Sequence, residues 1–379
     1  MKWKNKDKIL LLISVLTLII FSVPSLSRSK PEERTESLFD VLTSDVSWNK
    51  SDYINFTGPP QDFGVESLFR IFIDDENPNY NWSKTAAEND WLTGSGTWSD
   101  PYVIENLYFN GQGVGSFIKI QWSNKPFIIR NCWFDYSGPN EYDAGVVIHH
   151  TINGDVKDNI CTFTHRGVII EHASTNHTVE NNIMISDHTT AGYGRGIAME
   201  SLCDNNTISN NKIRNFYDAI YIWTSDNVTV KGNYAENNIW GADYHGFPIG
   251  FRYVDDSKIV YNVLAGVFAQ GSFIINEVSC AGNVVENNTV ITGDTWAFGP
   301  PELSVTSSLG LPSLKTQQAP ENVIKLEDSD NNYIANNIMI RPESSSNGAI
   351  YGYDMFLLLG LVSIASLVLV LIIRKKNMK

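Results

Sequence analysis

Cysteine, basic charge and unbroken hydrophobic runs are all scarce in this chain of 379 residues. The four cysteines, Cys132, Cys161, Cys203 and Cys280, include no CxxC pair, which argues against a zinc framework. Cys132 and Cys161 fall near the same point of consecutive sequence units, a placement that suits either a disulfide outside the cell or two buried thiols. Basic residues number 28 against 42 acidic. Ten of the 28 lie at the two ends, leaving 18 basic against 41 acidic residues between positions 31 and 373. Such a surface repels phosphates, which excludes nucleic acid as a partner and fits an exposed ectodomain or one that meets cations. No serine triad, phosphate-binding loop or HExxH stretch is present.

Long apolar runs occur only at the ends. Ile9 to Val23 follows a basic start and precedes Ser25 and Ser27, so residues 1–27 read as a signal peptide. Met355 to Ile373 is uncharged and closed by Arg374, Lys375 and Lys376. It reads as a transmembrane helix over 355–373, with a cytoplasmic tail at 374–379. Together they predict a single-pass protein of the cell membrane with its ectodomain outside.

What the chain has in abundance is asparagine at a fixed place. The stretches Gly167–Asn182 and Gly196–Asn211 align without a gap, sharing Gly, Glu, an Asn six places from the end and a closing Asn-Asn. The closing residue recurs as Asn131, Asn159, Asn182, Asn211, Asn233, Asn262, Asn288 and Asn337. Between these lie β-branched runs too short for helices, such as Val146–Ile148, Val168–Ile170, Ile220–Ile222, Phe273–Ile275 and Val323–Leu326. Repeats of this length predict an all-β fold, a parallel β-solenoid whose coils stack to share one core. The repeated Asn suits a corner, because it tolerates the left-handed conformation and its amide can bond the equivalent Asn one coil away.

The unit resembles the right-handed parallel β-helix repeat of the pectin-lyase-like superfamily, and in particular NosD-type copper-binding and carbohydrate-binding or sugar-hydrolase β-helix domains. Gly94–Leu107 followed by Phe127–Cys132 is similar to the entry segment of archaeal cell-surface β-helix proteins. The resemblance spans Trp91 to Arg341 and implies a single-stranded right-handed β-helix over residues 76–342. A polar stalk and leading strand (28–75) would precede it, and a linker (343–354) would follow. A cap about 81–91 is expected as a short helix, with Ser83 as N-cap. Residues 294–320 lack the repeat and form a loop. The Asp pairs with Arg-Ile-Lys of glycan hydrolases of this fold, and the Asp-Pro-His-Glu of its epimerases, are missing.

In a solenoid, equivalent side chains on adjacent coils stand about 4.8 Å apart. Glu171 and Glu200 lie eleven places before their closing Asn and should neighbour each other, raising the pKa of one. With Arg252 they are the candidate catalytic groups. His149, Tyr221, Trp223, Asp187, His188 and His245 complete a candidate ligand-binding face, since acid, aromatic and Arg along one groove suit a polysaccharide. All seven histidines fall between positions 149 and 245. The NosD-type resemblance implies that His149, His172, His188 and His245 converge as a copper site; Ca²⁺ would serve only to bridge an acidic glycan. Of seven Asn-x-Ser/Thr sequons, Asn49, Asn55 and Asn81 are the glycosylation candidates. The expected role is surface binding or structure. Carbohydrate, a surface glycan, is the leading ligand; other surface proteins, a polysaccharide-modifying activity and copper binding are the alternatives.

Overall fold

The computed structural model describes residues 43, 50–57, 61–62, 68–186, 194–236, 248–266, 275–292, 315–318, 324–327 and 329–341. The signal peptide, most of the stalk, Asn49, the linker, the apolar run 355–373 and the tail lie outside these residues, as do Asp187, His188, His245 and most of the loop 294–320. Among the described residues no helix is long and apolar enough to cross a membrane.

Alternation decides where each strand goes. In Arg166–Glu171, Val168 and Ile170 point inward, and in Arg195–Glu200 so do Ile197 and Met199. Each coil lends one strand to each of three sheets of eleven, nine and ten strands, paired in parallel from coil to coil. Val146, Val168, Ile197, Ile220 and Ile249 stack as one inward row, and Ile148, Ile170, Met199, Ile222 and Phe251 as the next. The expected runs Val146–Ile148, Val168–Ile170 and Ile220–Ile222 lie within the strands Ala144–Thr151, Arg166–Glu171 and Asp218–Trp223. Ile275 and Ile324–Leu326 lie within Ile275–Val278 and Ile324–Glu327, while Phe273, Ile274 and Val323 lie outside the described residues. Antiparallel pairing enters at the ends, where Lys315–Gln318 meets Ile338–Arg341 and Leu92–Thr93 meets Tyr102–Glu105.

The first coil is sealed by the helix Trp82–Glu88. Its N-cap is Asn81, not Ser83: the Asn81 Oδ1 accepts from the Lys84 N–H at 2.9 Å, satisfying a first-turn donor that the helix cannot. Trp82 is buried, stacks on Tyr102 with centroids 4.7 Å apart and donates its indole N–H to Ser123. Ahead of it, Ile54–Phe56 pairs with Leu107–Phe109, a strand that its polar neighbours hid in the sequence. Lys50 there reaches Tyr108 and Asp135 and lies over the Trp133 ring.

The Asn-Asn pairs divide two jobs between them. The first member takes the left-handed corner, as at Asn181, Asn210, Asn287 and Asn336. The second is buried and, with Asn159, Asn233 and Asn262 at the same place on the coils that lack the pair, forms a continuous ladder, Asn159–Asn182–Asn211–Asn233–Asn262–Asn288–Asn337. Each Oδ1 accepts from the backbone N–H and the amide of the preceding rung, and each amide also donates to a carbonyl. Asn131 is not a rung. It is exposed at φ 48°, and Cys132 takes the ladder position, donating its N–H to Asn159. The first unit is therefore displaced by one residue, so Ile129 and not Ile128 stacks on Val156.

All four cysteines are buried thiols. Cys161 sits opposite Phe134 in the core, out of step with Cys132. Cys203 and Cys280 occupy a corner where other coils place Ser225 and Ser329, which accept their backbone N–H groups. Burial pushes the Cys132 and Cys203 thiols up to about 12, so neither is nucleophilic.

Candidate functional site

The inward rows leave the alternate residues of the nine-stranded sheet facing out. One outward row reads Gln121, His149, Glu171, Glu200, Trp223, Arg252, one residue per coil. The row beside it carries Lys119, Val147, Ile169, Ala198 and Tyr221. Glu171 and Glu200 are thus in register on adjacent coils.

They do not form a coupled acid pair. His149 Nδ1 lies 2.9 Å from Glu171 Oε1, and His172 Nδ1 lies 3.7 Å from Oε2. Burial opposes ionisation of Glu171, but the His149 hydrogen bond, aided by the charges of His149, Lys119 and His172, outweighs it and holds the carboxyl below its ordinary value. The expected rise is therefore not found for Glu171. Glu200 is turned the other way, toward Arg195 at 2.6 Å and Arg166 at 3.2 Å. Two guanidiniums intervene where mutual repulsion was expected.

Those arginines were overlooked in the sequence. Arg166 and Arg195 pair in register and each stands immediately before an aligned glycine, so the repeat carried the signal. The Arg166 side chain is fully buried between Glu141 and Glu200. Arg195 donates to Asp218 at 3.2 Å and lies 3.9 Å above the Tyr221 ring, a cation–π contact. Arg252, exposed, stands one coil beyond, opposite Trp223, with its guanidinium 5.4 Å from the Tyr253 ring centroid. Tyr221 is held against the Arg195 guanidinium, and burial lifts its phenol above the usual range. Trp223 stands beside it, 40% exposed.

A second cluster occupies the corner where these strands end. Trp122, His150 and His172 all adopt positive φ there, on successive coils. Trp122 stacks on His150 with centroids 3.9 Å apart, and the His149 and His172 rings are 4.5 Å apart. Ligand atoms of His149, Glu171 and His172 all lie within 4.8 Å of one another. Burial and the two neighbouring imidazoles lower the pKa of His150, which was not among the expected ligands. The structure brings together two of the four expected metal histidines; His188 and His245 lie outside the described residues. His165 and His177 are core residues: the His177 ring bridges Thr151 and Gly154 from inside the coil.

Of the glycosylation candidates described, Asn55 is exposed on the strand Ile54–Phe56, whereas Asn81 is engaged as the helix cap.

Three sheets wound coil upon coil make the described residues a parallel β-helix. Within it, residues 98–270 match the family model described as periplasmic copper-binding protein (NosD). No curated protein matches the chain. Solved structures similar to it include the C387A mutant of DFA-IIIase from Arthrobacter chlorophenolicus A6 in complex with DFA-III. That match has a TM-score of 0.42 at 12% identity and covers 66% of this chain and 63% of that one. The A-module of mannuronan C-5 epimerase AlgE6 from Azotobacter vinelandii matches with a TM-score of 0.40 at 12% identity, covering 64% of this chain and 65% of that one. The chain spans less than two thirds of the length of either.

Proposed function

We propose that the outer face of the nine-stranded sheet recognises a saccharide, and that the protein does so from the cell surface, anchored by residues 355–373. The observation that carries this reading is the aromatic pair Tyr221 and Trp223, framed by Arg195, Arg252 and Glu200 on adjoining coils. Indole and phenol rings offer flat apolar faces to a pyranose, while guanidinium and carboxylate groups exchange hydrogen bonds with its hydroxyls. Because the Tyr221 ring is packed against the Arg195 guanidinium, little side-chain freedom remains to be lost on binding. Binding fits this face better than turnover: Glu171 is held ionised by His149, the opposite of what a general acid needs.

Calorimetric titration of a saccharide panel against the ectodomain tests the reading. One ligand is expected to bind, with Trp223→Ala weakening it at least about tenfold, a loss of about 1.4 kcal/mol. Protease applied to intact cells should release the binding fragment. Silence across the panel, or indifference to Trp223→Ala, refutes the binding site; recovery only after lysis refutes the location.

The convergence of His149, Glu171 and His172 favours one second reading, a first-row divalent metal and copper in particular. Imidazole and carboxylate suit such ions, and modest side-chain rotation would bring three donors to the roughly 2.0–2.2 Å a metal requires. Titration with Cu²⁺ should give one-to-one binding that His172→Ala weakens at least about tenfold. Binding that ignores both His149→Ala and His172→Ala rejects it.

A further inference from the structure

The ten-stranded sheet carries a concavity of its own, on a different sheet from the face described above. Ile128, Asp155 and Thr178 face out in register on three successive coils. Asn153 and Asn176 take the adjoining left-handed corner. Trp98 completes a groove of about 570 Å³, within the range of small-molecule clefts.

Trp98 is 78% exposed, and it is not a side chain left on a loose loop. It sits in the turn Thr97–Asp100, closed by reciprocal backbone hydrogen bonds of 3.1 Å and by the Asp100 N–H donating to Thr97 Oγ1. The indole is thus presented on a fixed support, opposite a wall of amides, a carboxylate and a hydroxyl. Among the described residues Asp155 is the one charged residue lining the groove, and the nearby Lys157 is paired with it at 3.5 Å. No cation among the described lining residues meets a phosphate, sulfate or uronate. A flat apolar platform facing amides, a hydroxyl and a single carboxylate, all able to bond sugar hydroxyls, matches an uncharged sugar ring.

We propose that this groove holds a neutral hexopyranose unit stacked on Trp98. The site is independent of the face that carries Tyr221 and Trp223. The sugar has two possible sources, a free oligosaccharide or a glycan on Asn176 itself, which begins the sequon Asn176-His177-Thr178. The structure separates this sequon from others. The Asn81 Oδ1 caps a helix, and the Asn205 and Asn227 amides bond each other at 2.6 Å. Asn176 is exposed, and its amide has no such partner among the described residues.

Protection of Trp98 from N-bromosuccinimide, read by peptide mass spectrometry, tests both sources. On protein made without N-glycosylation, neutral oligosaccharides of glucose, mannose, galactose and N-acetylglucosamine serve as probes. A free-ligand site predicts about tenfold protection of Trp98 at ten times Kd, and binding of that probe weakened at least about tenfold by Trp98→Ala. An attached glycan predicts a sugar on Asn176 in protein from its own host, with Trp98 protected until that sugar is enzymatically removed. If no probe protects Trp98, and Asn176 either carries no sugar or carries one whose removal leaves Trp98 reactivity unchanged, the proposal is overturned. Trp98 is solvent-exposed, so Trp98→Ala does not compromise folding.

Discussion

Two corners of the same coil have been filled in opposite ways. At one, the same residue recurs: Asn159 through Asn337 form seven buried rungs joined by the same hydrogen bonds at each of six steps. At the other, where strands of the nine-stranded sheet end, the equivalent residues at positive φ run Trp122, His150, His172, Ser201, Thr224, Tyr253 and Ser279 from coil to coil. The backbone is equivalent on each coil, yet the side chains differ. Where every coil must satisfy the same buried backbone groups, one side chain is repeated. Where the scaffold makes no demand on the outward side chain, each coil is free to carry something different, and the candidate site lies there.

The sharpest way to break this contrast is within one Asn-Asn pair. Asn211→Ala removes a side chain that accepts from the Asn182 backbone and amide and donates to Val179 and Asn233. Several buried groups lose their partners, at about 3–5 kcal/mol in total. Asn210→Ala next door loses only the ease of a positive φ, about 1 kcal/mol. Urea titration of the two variants checks the ratio; equal losses would mean the ladder is not what holds the coils.

A smaller effect concerns the buried histidines. Burial lowers His165 and His177 to about 4, against about 6.5 in the unfolded chain. Above pH 6.5 both states are neutral and stability is level. Between 6.5 and 4 the unfolded state binds more protons, so stability falls as the pH falls, by about 2 kcal/mol per histidine from pH 7 to pH 5. Glu171, whose carboxyl is depressed, adds its loss only below about 4.5. Urea midpoints at pH 7 and 5 measure this, and His177→Gln should flatten the slope by about half.

The fold was legible because its demands repeat. Asn pairs, β-branched runs and the register of Glu171 with Glu200 are all local and periodic. Asn131 misled by one residue, since corner and rung are adjacent and the first unit puts Cys132 where later ones put Asn. Ser83 likewise gave way to Asn81, because residue type alone does not locate the first helical turn. The electrostatics of the site were harder to read. That Glu200 meets Arg166 and Arg195 depends on side-chain direction across two coils, which spacing does not encode. The pairing of His172 with Glu171 also depends on a corner conformation that a histidine seldom adopts.

The account's central claim is that recognition resides in outward residues that the scaffold does not need. Calorimetry of the best-binding saccharide, run beside urea denaturation on Trp223→Ala and Asn210→Ala, tests it most directly. The account predicts that Trp223→Ala loses at least about tenfold in affinity while its stability stays within about 0.5 kcal/mol of wild type. Asn210→Ala should lose stability and keep its affinity. Wild-type affinity in Trp223→Ala, or a loss of affinity only in step with a loss of stability, would contradict it.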